Sequence, residues 1–161
     1  MQAKPQLSFI EAIKVCFAKY ANFKGRGRRS EFWWFYLFGM IVYWILLLPV
    51  YFLNAKKQAM IADAEASILS GGNVDMAALE ANDPTSTIIF LLIVAGIVML
   101  ILLLPTLAAW VRRLHDVGKS GHMLWLFLLC GVGGLIPLLM CIPDGKPEPN
   151  KYGESPKYVQ V

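Results

Sequence analysis

Three stretches of the chain carry no charged residue: 32–53, 88–111 and 123–143. Each is close to the ~20 residues with which a helix crosses a hydrocarbon core of roughly 30 Å. A water-soluble fold of 161 residues could not hide three such runs, with 57% of its residues hydrophobic and only 16% charged; an ordinary soluble domain carries roughly 25% charged residues. Lipid is therefore the solvent, and in lipid the backbone must satisfy its own hydrogen bonds, which makes helices the expected form. The fold class is an all-α membrane protein, a small bundle of three transmembrane helices in a single domain over residues 1–161. The hydrophilic stretch 54–87 is too short and too poor in aromatics to build a second core. The first run starts only at residue 32, is 22 residues long and lacks an Ala-x-Ala type cleavage pattern, so we expect it to be kept rather than removed as a signal peptide.

Orientation follows from the flanking cations. Residues 1–31 carry seven Lys and Arg, residues 54–87 carry two, and residues 112–122 carry three. Short basic flanks stay on the cytoplasmic side, which places the N-terminus and the 112–122 loop inside and the acidic 54–87 loop outside. The third segment is interrupted by Gly131, Gly133, Gly134 and Pro137. We read it as a kinked but complete span; a broken or re-entrant hairpin, returning the tail at 144–161 to the cytoplasm, is the alternative.

Ahead of the first span, residues 7–22 read as an amphipathic helix. Phe9, Ile10, Ile13, Cys16, Phe17 and Tyr20 share one face, opposite Ser8, Glu11, Lys14 and Lys19. Ser8 and Glu11 have the spacing of a capping box. The apolar face suits either the lipid interface or the side of the bundle. The cluster Phe32, Trp33, Trp34, Phe35, Tyr36 is suited to headgroup depth. Pro49, Pro105 and Pro137 each remove a backbone donor, so each segment must bend or have the freed carbonyl satisfied by a neighbour. The alanine-rich outer loop predicts short helices on either side of residues 70–73, and Asp83 followed by Pro84 reads as the start of the second span. Cys16, Cys130 and Cys141 are expected to be free thiols; the last two lie too far apart along one helix to be bridged.

Two polar clusters fall on the same side. The first, 23–31, holds Arg26, Arg28, Arg29 and Glu31 among glycines, a combination suited to phosphate because arginine offers a planar fork and glycine lets backbone approach. Positive-inside topology demands basic residues there in any case. The second, 112–122, holds Arg112, Arg113, His115, Asp116 and Lys119. His115 beside Asp116 could be a proton-transfer pair, but adjacent helical residues point to different faces, and no Glu or Cys stands at ligand spacing for a metal. We expect Asp116 to pair with an arginine of the first cluster. The spans contain no Asp, Glu, Lys or Arg, which disfavours a pump or transporter.

The two clusters, with Gly118, Ser120 and Gly121 and the tail residues Asn150, Tyr152, Gly153, Ser155 and Pro156, resemble a bacterial inner-membrane family, domain of unknown function 805, over about residues 10–157. The outer loop looks longer than is usual there. The resemblance implies a small multi-span membrane domain and no established activity.

From these features we expect a non-enzymatic inner-membrane protein. Its cytoplasmic face, with Arg26, Arg28, Arg29, Arg112, Arg113, His115 and Lys119, would take anionic lipid headgroups or a protein partner, while Glu31 and Asp116 serve in structural pairing. Residues 131–134 could support a homo-oligomer. No cofactor, metal or nucleic acid is expected. The rivals are an enzyme acting on a phosphate-bearing lipid through His115 and Asp116, with arginines clamping the phosphate, and an oligomeric channel.

Overall fold

The computed structural model describes residues 2–128 and 134–159. In chain order these form β1 (Gln2–Ala3), α1 (Phe9–Ala18), α2 (Arg29–Leu69), α3 (Met76–Ala81), α4 (Thr85–Asp116), a 3-10 helix (Gly121–Leu128), α5 (Leu135–Met140) and β2 (Tyr158–Val159). Apart from β1 and β2, which pair antiparallel with Gln2 opposite Val159, the regular structure is helical. Two helices, α2 and α4, are long and apolar enough to cross a membrane.

The described chain forms two compact units: one holds the residues up to Met40 and those from Ile101 onward, the other Ile41–Leu100. In the second unit, large apolar side chains stand exposed along both helices, among them Trp44, Ile45 and Phe52 of α2 and Phe90, Ile93 and Ile97 of α4. Water would not tolerate a continuous surface of this kind, whereas lipid would. The 41 residues of α2 are about twice what a hydrocarbon core requires. The helix therefore runs on through the alanine-rich stretch to Leu69, where a separate short helix was expected. Beyond the Gly71 turn, Asp75 caps α3 by accepting from the amides of Ala77 and Ala78, each at 3.1 Å. Asp83 then accepts from the amide of Thr85 at 3.0 Å, starting α4.

The first unit holds the packed core. One cluster joins Phe32 of α2, Trp110 and Leu114 of α4 and Cys141, with Met123, Leu124, Leu138 and Met140 against it. A second joins Cys16 of α1, Phe35 of α2 and Ala109 of α4. α1 opens with the capping box: Ser8 donates its amide to Glu11 Oε2 at 2.8 Å, and its Oγ accepts from the Glu11 amide. The apolar face of α1 is turned to the bundle through Ala12, Ile13 and Cys16, while Ile10 stays 63% exposed.

The third apolar segment is not the single kinked helix expected over 123–143. It consists of an eight-residue 3-10 helix and the six-residue α5, with 129–133 outside the described residues. Neither piece is long enough to cross a bilayer. Met123 and Leu124 at its start, and Leu138, Met140 and Cys141 at its end, pack on the same cluster. Cys130 and residues 131–133, with the oligomer contact expected there, lie outside the described residues.

Candidate functional site

The last turn of α4 carries two consecutive arginines, and successive helical residues project about 100° apart. Arg112 and Arg113 consequently reach different parts of the unit, although both are almost wholly buried. Arg112 donates through Nη2 to Glu31 Oε1 at 2.9 Å and through Nη1 to the carbonyls of Asn22, at 2.7 Å, and Lys19, at 3.3 Å. It thus ties the end of α1 to the first turn of α2. The Cys16 thiol beside this pair is pushed up to about 12, chiefly by burial and by the Glu31 charge. The 23–31 segment comes close to α4 at Gly27, whose amide donates to the Arg112 carbonyl at 2.8 Å and where an added Cβ would lie a tight 3.1 Å from Arg112 Cβ.

Arg113 faces the end of the third segment. Its Nε donates to the Cys141 carbonyl at 3.1 Å, its Nη2 to the Pro143 carbonyl and its Nη1 to Asp116 Oδ2 at 2.5 Å. The other oxygen of Asp116 accepts from Arg26 Nε at 2.9 Å. Arg26 spends its remaining donors on the tail, bonding the carbonyls of Lys146, Glu148 and Gly153. Burial raises the Asp116 carboxyl above its ordinary value, and the two guanidiniums oppose that rise. Three buried cations thus meet two buried carboxylates, with backbone carbonyls taking most of the donors left over; among the described residues Arg112 Nε has no partner.

α4 ends in a Schellman arrangement: Gly118, at φ +79°, donates to the His115 carbonyl at 3.0 Å, and Lys119 to the Leu114 carbonyl at 2.8 Å. The tail is bound on the adjoining surface. The Tyr152 ring stacks on His115 at 3.7 Å with an interplanar angle of 7°, and Asn150 Nδ2 donates to the His115 carbonyl at 2.9 Å. His115 Nδ1 lies 3.1 Å from the Gly25 carbonyl, which can only accept, so the proton is on Nδ1. Burial lowers the imidazole below its ordinary value, and Lys151 adds to this.

Arg28, Arg29 and Lys119 stand apart from this network. Arg28 is spent on the carbonyls of Pro5, at 2.7 Å, and Lys4, at 3.0 Å. Arg29 and Lys119 are exposed. Beside Arg29 lies a cavity of about 300 Å³ bordered by Arg28, Ser30, Trp34, Ser155 and Lys157.

The model of a family described as a protein of unknown function, DUF805, matches residues 20–154, a range that contains the whole arginine network and most of the tail. The chain belongs to the DUF805 family. Inner membrane protein YhaI of Escherichia coli strain K12 is 30% identical over 139 residues, covering 86% of this chain and 89% of YhaI. Inner membrane protein YhaH of the same strain is 28% identical over 138 residues, with the same coverage. No solved structure matches. Among the described residues this DUF805 chain has two helices apolar enough to cross a bilayer, and both relatives are named as inner membrane proteins.

The structure alters two sequence expectations about this DUF805 site. Arg26, Arg112 and Arg113 were candidates for external anions, but they are 6%, 1% and 0% exposed, and their bonds go to the chain's own carboxylates and carbonyls. A headgroup could reach them only by displacing those partners. The catalytic alternative needs Asp116 to orient His115, yet both Asp116 oxygens are taken by arginines and the His115 ring is stacked under Tyr152. Sequence reasoning missed the tail's contribution. Asn150, Tyr152 and Gly153 were visible only as part of the family pattern. Gly145 is required because a Cβ there would fall on the Asp116 carboxylate.

Proposed function

We propose that this protein is a multi-pass inner-membrane protein with its N-terminus and tail in the cytoplasm, and that it binds the anionic headgroups of the inner leaflet without catalysing a reaction on them. α2 and α4 cross the bilayer, and the third apolar segment is a re-entrant hairpin held at its return by Arg113. α1 lies at the interface, packed on the bundle through Cys16 and offering Ile10 to lipid. The buried arginines give this face its shape, and Arg28, Arg29 and Lys119 give it its charge. The observation that carries the reading is Arg29, exposed and with no hydrogen-bond partner among the described residues, four positions before Trp33 at the mouth of the first apolar run. A cation and an indole so spaced suit the phosphate and glycerol levels of one leaflet.

The test is association of purified protein with nanodiscs of phosphatidylglycerol against nanodiscs of phosphatidylcholine. Wild type prefers the anionic discs, and Arg28→Gln/Arg29→Gln/Lys119→Gln loses that preference. Equal binding of wild type to both lipids refutes the reading. Reporter fusions at residue 161 and within 60–80 check the topology, with a cytoplasmic signal at the first and an external one at the second.

A further inference from the structure

The cavity beside Arg29 has a composition that the internal network does not account for. Four cations border it, Arg28, Arg29, Arg113 and Lys157, against two carboxylates, Asp116 and Asp144. Arg113 and Asp116 neutralise each other at 2.5 Å. Among the described residues Arg28 bonds only neutral carbonyls, which orient its guanidinium without adding a counter-charge. Arg29 has no partner among the described residues. Lys157 lies 3.0 Å from Asp144, but that pair is well exposed, with side chains 35% and 53% accessible, and an exposed ion pair adds little in water. Lys157 can therefore exchange this carboxylate for a second anion at small cost. Among the described residues the cavity's border thus carries two more positive than negative charges, with hydroxyls from Ser30 and Ser155 on its wall.

Two further features narrow the anion. At about 300 Å³ the cavity lies at the lower end of the range for small-molecule sites, enough for a phosphate with a glycerol-sized group. Trp34 on its wall is exposed and belongs to the first apolar run, so a ligand held there has apolar surface beside it for acyl chains. The cavity also joins distant parts of the sequence: Arg28 and Arg29 stand at the start of α2, whereas Ser155 and Lys157 come from the tail that Arg26 holds in place.

We propose that this cavity is the binding site for the phosphate of one anionic glycerophospholipid, gripped between Arg29 and the tail residue Lys157 with Arg28 adding charge, so that the docked tail completes the site. This rests on the headgroup-binding reading above and narrows it from a charged face to one bounded site.

Phosphatidylglycerol affinity, measured by native mass spectrometry on the full chain, tests it. Arg29→Gln/Lys157→Gln lowers affinity about tenfold, Lys157→Arg in the Arg29 background stays within about twofold of wild type, and Lys119→Gln, which removes a cation outside the cavity, costs at most about a third of the double variant's loss. Thermal unfolding in detergent confirms that each variant folds; if the double variant does not, Ser155→Leu, which only narrows the cavity, takes its place with the same expected loss. Unchanged affinity in the double variant overturns the proposal. An equal loss in Lys119→Gln also overturns it, while leaving the charged-face reading intact. Inorganic phosphate and glycerol 3-phosphate are added as competitors: failure to displace the lipid below millimolar concentration supports a lipid ligand, and displacement at micromolar concentration overturns it in favour of a free phosphate compound. If wild type prefers no anionic lipid at all, the broader reading falls as well.

Discussion

The hydroxyl of Tyr20, just beyond α1, donates to the carbonyl of Ile101 inside α4. That carbonyl is four residues before Pro105, which lies within the helix and has no N–H to offer it. The tyrosine supplies the missing donor, and in doing so fastens the end of α1 to α4. Tyr20→Phe is expected to destabilise the protein by about 1–3 kcal/mol, the cost of an unsatisfied carbonyl away from water. In a Pro105→Ala background, where the helix regains its own donor, the same change should cost less. A double-mutant cycle of unfolding in detergent measures the difference.

Glu31 and Arg112 make the second test of buried pairing. Removing either partner alone leaves a buried charge without its main counter-ion, so Glu31→Leu and Arg112→Leu should each cost about 3–5 kcal/mol, and the double variant much less than their sum. Arg112→Lys should not rescue, because one ammonium cannot reach Glu31 and the carbonyls of Asn22 and Lys19 in the planar pattern that the guanidinium serves. Unfolding temperatures of the four proteins decide the matter.

Gly145→Ala places a methyl group on the Asp116 carboxylate and should force the tail from its seat. Limited proteolysis should then cut residues 144–157 well before the rest of the chain. Gly96→Ala, where an added Cβ meets nothing within 4 Å, serves as the control with a wild-type digestion pattern.

Tail docking should also respond to pH through His115. Burial and Lys151 hold its imidazole below the ordinary value in the folded state, so the undocked form binds the proton more readily. The stabilisation is then fully present above the ordinary histidine value of about 6.5 and is lost as pH falls below it towards the depressed folded value. Hydrogen exchange of residues 146–153, corrected for intrinsic rates, should be faster at pH 5.5 than at pH 7.5. His115→Gln should abolish most of that difference.

The sequence by itself determined the solvent, the two long helices and the local signals that start elements: the Ser8 and Glu11 capping box and the cap at Asp83. These are legible because span length, helical periodicity and capping are set by residues near one another in the chain. It also showed which residues were unusual. What each arginine does was not legible, because topology and internal pairing call for the same residue type in the same flanks; only the tertiary structure assigned Arg112 to Glu31 and Arg26 and Arg113 to Asp116, and left Arg29 exposed with no hydrogen-bond partner among the described residues. The packing of both described ends of the third segment on one cluster and the seating of the tail were decided there too. Residues 26 and 148, or 20 and 101, meet only once the helices have packed, and no local pattern records that a buried guanidinium will find its acceptors in backbone carbonyls more than a hundred residues away.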